Sequence, residues 1–240
     1  MKKSTFLATS LAAAILALPT VSMAHEANSL VLRVGAVTVD PHEDSSDLKV
    51  AGLGTLAGAQ VGLDSDTQLG INFTYKFTDN LGIGVLGATP FKHDISGAGS
   101  VLAGAGKLGS TKHLPPTVTL QYFPLPASSA VQPYVGVGFN YTTFFQEDTT
   151  STLVDTFSAV AGAQVNSVDM KLDDSFGLAA EIGVDYMVTD RIAINAAIWY
   201  ADIDTEAELT AKFADGSKAK AKIDVDVDPM VYMVSVGYKF

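Results

Sequence analysis

The sequence predicts an all-β protein, an eight-stranded antiparallel up-and-down transmembrane β-barrel. Three observations carry the prediction. Eight segments alternate apolar with mixed residues at a period of two. The links between them are long and short in turn. Beyond the N-terminus no run approaches the ~18 consecutive apolar residues of a spanning helix.

In chain order, Lys2 and Lys3 precede an apolar stretch from Phe6 to Leu18 and the small-x-small pattern Ser22-Met23-Ala24. This reads as a secretory signal peptide over 1–24 with cleavage after Ala24, leaving residues 25–240 as the barrel. The first strand sets Leu30, Leu32, Val34 and Ala36 against Arg33 and Gly35. The second sets Leu69, Ile71, Phe73, Tyr75 and Phe77 against Gln68, Gly70, Asn72, Thr74 and Lys76. A weaker, Gly-rich third lies near Leu81 to Phe91, and a fourth has Val118, Leu120 and Tyr122 against Thr117, Thr119 and Gln121. The fifth carries Val135, Val137, Phe139 and Tyr141, and the sixth Phe176, Leu178, Ile182, Val184 and Tyr186. Ile192, Ile194, Ile198 and Tyr200 mark the seventh, and Tyr232, Val234, Val236, Tyr238 and Phe240 the eighth. Links at roughly 40–66, 92–114, 145–173 and 203–227 are long, and those at 78–80, 124–130 and 189–190 are short. One rim therefore carries loops and the other turns.

A soluble eight-stranded barrel would show the same alternation with its apolar parity inside. Against it, aromatic residues gather at the ends of the apolar parity (Tyr75, Phe77, Tyr122, Tyr186, Tyr200, Tyr238, Phe240), as in the girdles of a lipid-facing belt. The mixed parity is rich in Gly and Ala, an unusual solvent face. The expected location is the outer membrane of a Gram-negative cell, with membrane lipid, lipopolysaccharide and the outer-membrane barrel assembly machinery as partners. Removing Lys2 and Lys3 leaves 13 basic against 26 acidic side chains, a net charge of −13 that argues against nucleic acid as a partner. With no cysteine, disulfides and thiolate metal sites are excluded. No cofactor is expected.

Five stretches, HLPPTVTLQYF (113–123), QPYVGVGFNYTTFF (132–145), FGLAAEIGVDYMV (176–188), AAIWYADIDT (196–205) and DPMVYMVSVGYKF (228–240), occur in an order that resembles the OmpW family of small outer-membrane proteins. The resemblance does not extend to loops 40–66, 92–111 and 148–171. It implies a barrel that passes small hydrophobic molecules across the outer membrane and releases them sideways into the bilayer.

With both termini and the short turns at the periplasmic rim, each strand can be read by height. Inward positions near the bottom are Arg33, Lys76, Glu181, Asp185, Arg191 and Lys239, a charged plug. Those near the top are Val37, Val39, Trp199, Pro229, Val231 and Met233, an apolar channel lining. Pro115 and Pro116 open the fourth strand and Pro90 ends the third; proline gives a ladder no N–H, so this region either opens laterally or merely terminates strands. Trp199, the single tryptophan, either lines the path or packs the interior.

On the last hairpin Asp202, Asp204, Glu206 and Glu208 share the outward parity with Asp224, Asp226 and Asp228. A three-residue turn at Ala214-Asp215-Gly216 sets Asp202 opposite Asp228, Asp204 opposite Asp226 and Glu206 opposite Asp224. Like charges in register are destabilising unless compensated. Divalent cations bridging Asp202, Asp204, Glu206, Asp224, Asp226 and Asp228 to lipid phosphates are one compensation, and a solvated rim with Lys212, Lys218, Lys220 and Lys222 nearby is the other. An enzyme is not expected. Of His25, His42, His93 and His113 none lies on a membrane-level strand, although His93 and His113, with Asp94, Ser96 and Ser110, can meet in one loop. A structural or adhesive barrel acting through its loops is the alternative to a channel for small hydrophobic solutes.

Overall fold

The computed structural model describes residues 26–240. The signal-peptide expectation and His25 lie outside the described residues. In chain order the strands are β1 (Leu30–Asp40), β2 (Asp44–Ser45), β3 (Leu48–Val50), β4 (Gly54–Leu56), β5 (Gln60–Leu63), β6 (Asp66–Lys76), β7 (Leu81–Ala88), β8 (Phe91–Ala98), β9 (Lys107–Leu114), β10 (Thr117–Tyr122), β11 (Val131–Thr149), β12 (Val165–Leu172), β13 (Ser175–Met187), β14 (Ile192–Ala201), β15 (Asp204–Phe213), β16 (Lys218–Asp226) and β17 (Met230–Lys239). Two helices, α1 (Gly99–Leu102) and α2 (Ser151–Ala161), lie in the long links.

Eight of these strands close a barrel. The ladder runs β1–β6–β7–β10–β11–β13–β14–β17 and returns to β1, every pair antiparallel and every neighbour the next barrel strand in the chain. Closure leaves no sheet edge in the membrane, where an unpaired backbone group has no water to bond. Leu69, Ile71, Phe73, Val137, Leu178, Ile182, Val234 and Val236 stand on the outer face and are exposed. Tyr75, Phe77, Tyr122, Tyr238 and Phe240 ring the lower rim, while Phe139 stacks on Phe176 at 5.5 Å near the upper one.

Glycines on the inner parity follow from the narrow bore, since eight strands leave room for side chains and little else. A Cβ at Gly183 would lie 2.4 Å from the Tyr134 ring, one at Gly136 2.4 Å from Glu181 Oε1, and one at Gly84 2.4 Å from Gln121 Nε2. Each glycine makes space for a large inward neighbour. At Gly138 a Cβ would instead strike backbone, 1.9 Å from the Val118 carbonyl oxygen, whereas at Gly87 it would meet nothing within 4 Å. Gly138→Ala is expected to destabilise the barrel by about 1–3 kcal/mol through forced backbone shifts, and Gly87→Ala to leave it unchanged. Urea unfolding midpoints of the two variants in micelles check this, and equal midpoints would contradict it.

Above the membrane the expected loops are themselves largely strand. β11 runs 19 residues, so its upper part leaves the barrel and pairs with β9, which pairs with β8 and then β5. A second sheet, β12-β15-β16-β3-β4 with β2 on β16, continues the opposite wall. The β15–β16 register sets Asp204 opposite Asp226 and Glu206 opposite Asp224. The hairpin closes with Phe213 N donating to Ser217 O at 2.9 Å and Gly216 at φ +84°, which gives the three-residue turn read from the sequence. Helix α2 begins where Thr150 Oγ1 accepts from Leu153 N and ends at Gly162 in the left-handed region, and it turns Leu153 and Phe157 inward. The inner faces of this canopy form one apolar cluster, containing Leu48, Leu108, Leu153, Leu209, Ile223 and Val225.

Candidate functional site

The lower half of the barrel is filled by a polar network. Arg33 Nε donates to Asp185 Oδ1 at 2.9 Å and its Nη2 to Asp185 Oδ2, while Nη1 donates to Asn72 Oδ1 at 2.7 Å and Thr74 Oγ1 at 2.6 Å. Both ion-pair partners are fully buried. Asn195 Nδ2 donates to Asp185 Oδ1 at 2.9 Å and to the Tyr134 hydroxyl at 3.0 Å. Glu181 Oε1 accepts from Thr119 Oγ1 at 2.6 Å, and Lys76 Nζ donates to the Asp79 carbonyl at 2.6 Å. Four of the five N–H groups of the buried guanidinium thus have fixed acceptors, which holds it rigid.

One residue assigned to this plug from sequence stands elsewhere. Arg191 is exposed, and its Nη1 donates to the Tyr238 hydroxyl at 3.3 Å. It belongs to the turn before β14, where Thr189 Oγ1 accepts from the N–H groups of Arg191 and Ile192, so the strand parity does not govern it. Lys239 ends β17 and is half-buried at the rim.

Two aromatic rings are packed into the network. Phe123 and Tyr134 lie 5.2 Å apart between centroids; Lys76 Nζ sits 4.1 Å from the Phe123 centroid and Arg33 Cζ 5.3 Å from that of Tyr134. Cations facing rings are attracted by the ring quadrupole. Val37, Val39, Trp199, Val231 and Met233, read from sequence as the lining, are all buried here in one cluster with Phe91, Phe123 and Tyr134. Val37 pairs with Met233 and Val39 with Val231 across β1 and β17, and Trp199 faces Val231 from β14.

Three apolar chambers rise from this floor. The lower, about 20 Å³, is bounded by Val37, Val39, Leu86, Phe91, Trp199 and Val231 and also touches Gly87, His113 and Pro115. The middle, about 60 Å³, lies between Val61, Ile95, Phe144, Ala207 and Val225. The upper, about 70 Å³, is enclosed by Leu48, Leu53, Leu56, Leu102, Phe157 and Ala219. Val61, Leu108, Leu153, Leu209 and Ile223 line both the middle and the upper one.

The lower chamber meets an interrupted wall. The β7–β10 ladder ends at Leu86↔Thr117, and the next pair above it is Phe91↔His113 of β8 and β9. Between them Gly87–Pro90 faces Leu114–Pro116 with no ladder pair among the described residues. Each bank is tied to its outer neighbour: Thr89 N donates to Leu69 O, and Pro115 O and Pro116 O accept from Asn140 Nδ2 and Tyr141 N. Pro90, Pro115 and Pro116 thus remove three N–H donors at the one place where the barrel wall is unpaired.

The acidic hairpin is partly neutralised. Lys222 binds Glu206 and Lys49 binds Asp224 at 2.7 Å, so these two of the six carboxylates already have lysine partners. Asp202, Asp204 and Asp228 bring carboxylate oxygens within 4.8 Å of one another. Partial burial and the charges of Asp202, Asp226 and Asp228 raise the Asp204 carboxyl above its ordinary value. Asp228 accepts from the Tyr200 hydroxyl at 3.0 Å and from Ile203 N at 3.3 Å, and Asp226 is exposed. His93 and His113 do meet, Nε2 to Nε2 at 2.8 Å, and no serine hydroxyl is bonded to either ring among the described residues.

The canopy chambers were not read from the sequence, although a signal was present. Opposite the acids, Ile203, Ala207, Leu209, Ala211, Ala221, Ile223, Val225 and Val227 keep strict alternation and are all buried.

Comparison with known proteins gives a consistent result. The model of the OmpW family matches residues 26–240. Outer membrane protein W of Vibrio cholerae serotype O1 is 44% identical over 217 residues, covering 90% of this chain and 91% of that protein. Outer membrane protein W of Escherichia coli K12 is 39% identical over 219 residues, covering 91% and 92%. The crystal structure of the outer membrane protein OprG from Pseudomonas aeruginosa superposes with a TM-score of 0.78 at 45% identity, covering 91% of this chain and 98% of that one.

Proposed function

Because the chain belongs to the OmpW family of outer-membrane barrels, we propose that it is a passive channel for small hydrophobic molecules, which descend the apolar chambers and leave sideways through the wall. The observation that carries this reading is the coincidence, at one height, of a sealed floor and an unpaired wall. The lower chamber is lined mostly by apolar groups, with Trp199 among them and His113, Thr117 and Asn140 as its polar members, and the bore beneath is filled by the Arg33–Asp185 network. An apolar solute that reaches Trp199 gains nothing by entering that network, since displacing a buried ion pair costs several kcal/mol, on the order of 3–5. Sideways, between Gly87–Pro90 and Leu114–Pro116, no hydrogen bond has to break.

Driving force needs no energy source. Transfer of an apolar solute from water into the chambers is favourable at about 25 cal/mol per Å² of apolar surface, and the onward step to the bilayer exchanges one apolar surrounding for another. The barrel's part is to carry the solute past the polar outer leaflet.

The test is uptake by cells with an intact outer membrane, with and without the protein, of an apolar and a polar solute of similar size. Faster entry of the apolar solute alone is expected. Equal entry with and without the protein would exclude the channel and return the function to the canopy surface.

A further inference from the structure

We propose that His93 and His113 form a proton-operated latch between the middle and lower chambers, an inference that rests on the path proposed above and adds its regulation. The pair stands at the boundary of the two. Along β9, Gly109 and Thr111 line the middle chamber while His113 and Pro115 line the lower; along β8, Ile95 lines the middle and Phe91 the lower, with His93 between them. The same division falls between Thr205 and Ile203 and between Val227 and Pro229. The two imidazoles, diagonal neighbours in the β8–β9 ladder, are therefore a ring-to-ring polar contact at this boundary, beside Thr111 and Thr205 and otherwise among apolar groups. Phe91 and Phe144 stack on His113 at 5.4 and 5.8 Å and complete it.

The hydrogen-bond network assigns the protons. His93 Nδ1 lies 2.5 Å from the Asp64 carbonyl oxygen, which only accepts, so His93 carries its proton there and presents a bare Nε2. His113 must then donate through Nε2–H across the 2.8 Å contact, which leaves its Nδ1 a lone pair, buried and without a partner. A further proton has two places to go. On His93 Nε2 it sets two N–H groups against each other; on His113 Nδ1 it creates a buried donor with no acceptor. Either way the closed contact is lost.

The charged groups around the pair are few. Asp64 Oδ1 is 3.9 Å from His93 Nδ1, and Asp66, next along the chain, has its oxygens taken by Thr67 N, Lys92 N and Gln68 Nε2. Lys92, Asp94 and Lys112 alternate to the other face of β8 and β9, while β11, β14 and β17 present Phe144, Trp199 and Val231. Burial, and secondly His93, pull His113 from 6.5 down to about 3. The closed form thus binds fewer protons than an opened one, so the latch holds fully above the ordinary histidine range and weakens as pH falls toward His113's own value.

Trp199, the sole tryptophan, lines the lower chamber and reports its filling. The experiment measures quenching of its fluorescence by 1-bromohexane, with the purified full chain in phospholipid vesicles at about pH 7.5 and about pH 4, read as the slope against quencher concentration. The slope is expected to rise several-fold at the lower pH. In His113→Phe, whose ring keeps the stack between Phe91 and Phe144 but takes no proton, the two slopes should coincide. His113→Leu, which likewise takes no proton, should also be flat and serves if the first variant does not fold. A wild-type slope independent of pH, or variants that rise as the wild type does, would overturn the latch. The two readings fail separately: absent uptake by cells with pH-dependent quenching intact removes the channel, and apolar uptake with pH-independent quenching removes only the latch.

Discussion

Asp185→Ala is expected to destabilise the barrel by about 3–5 kcal/mol, the usual consequence of leaving one member of a buried ion pair without its partner. The figure follows from the surroundings of Arg33. Its guanidinium is fully buried, and the acid that takes two of its donors is the only carboxylate it contacts directly; Asn72 and Thr74 are neutral. Asn195 Nδ2 loses an acceptor as well. A double replacement, Arg33→Met with Asp185→Leu, removes both charges and should recover most of the loss, since apolar residues of similar volume substitute for buried pairs at little cost. Lys220→Ala, which breaks the exposed pair with Glu208, should barely register. Urea unfolding of the four proteins in micelles decides the matter, and a double variant as unstable as Asp185→Ala would show that the network acts through shape rather than charge.

The second large effect concerns the wall. Introducing cysteines at Gly87 and Pro116, the positions directly beyond the last β7–β10 pair, should create a bond that closes the unpaired section, and a chain without cysteine can form no other. Gly87 accepts a side chain without steric conflict. Oxidised, the variant should fall to the apolar uptake of cells lacking the protein, and reduction should restore it. Bond formation is read independently by gel mobility. An oxidised variant that still admits apolar solute at the full rate would place the exit elsewhere and refute lateral release at these prolines.

Much of the barrel was legible because a half-buried strand writes its orientation in every second residue. All eight spanning strands follow from that one period; the up-and-down closure followed from the alternating link lengths, and the inward places of Arg33, Lys76, Glu181, Asp185 and Trp199 from the period together with the aromatic ends of the apolar parity. It failed at Arg191, whose backbone is bound in a turn by Thr189 and no longer alternates. The canopy was harder to read for a different reason. Strands β8 and β9 are joined through Gly99, Gly104 and Gly106, all in the left-handed region, and β5 is only four residues long, so no window is long enough to show a period. In the last hairpin the period was visible, but the charges on one face drew attention from the valines and isoleucines on the other. The interruption between β7 and β10 was half legible: three prolines announce missing donors, and only the register shows that the missing donors face each other.

The filled bore of the barrel has a bearing on the cell as a whole. A pore that conducts water conducts nutrients, dyes and hydrophilic antibiotics alike, and each copy of it erodes the outer membrane as a sieve. Here the bore is filled by the Arg33–Asp185 pair with Tyr134, Phe123 and Trp199 packed into it. If the barrel passes apolar solutes as proposed, a bacterium can display it in large numbers and stay as resistant to hydrophilic drugs as before.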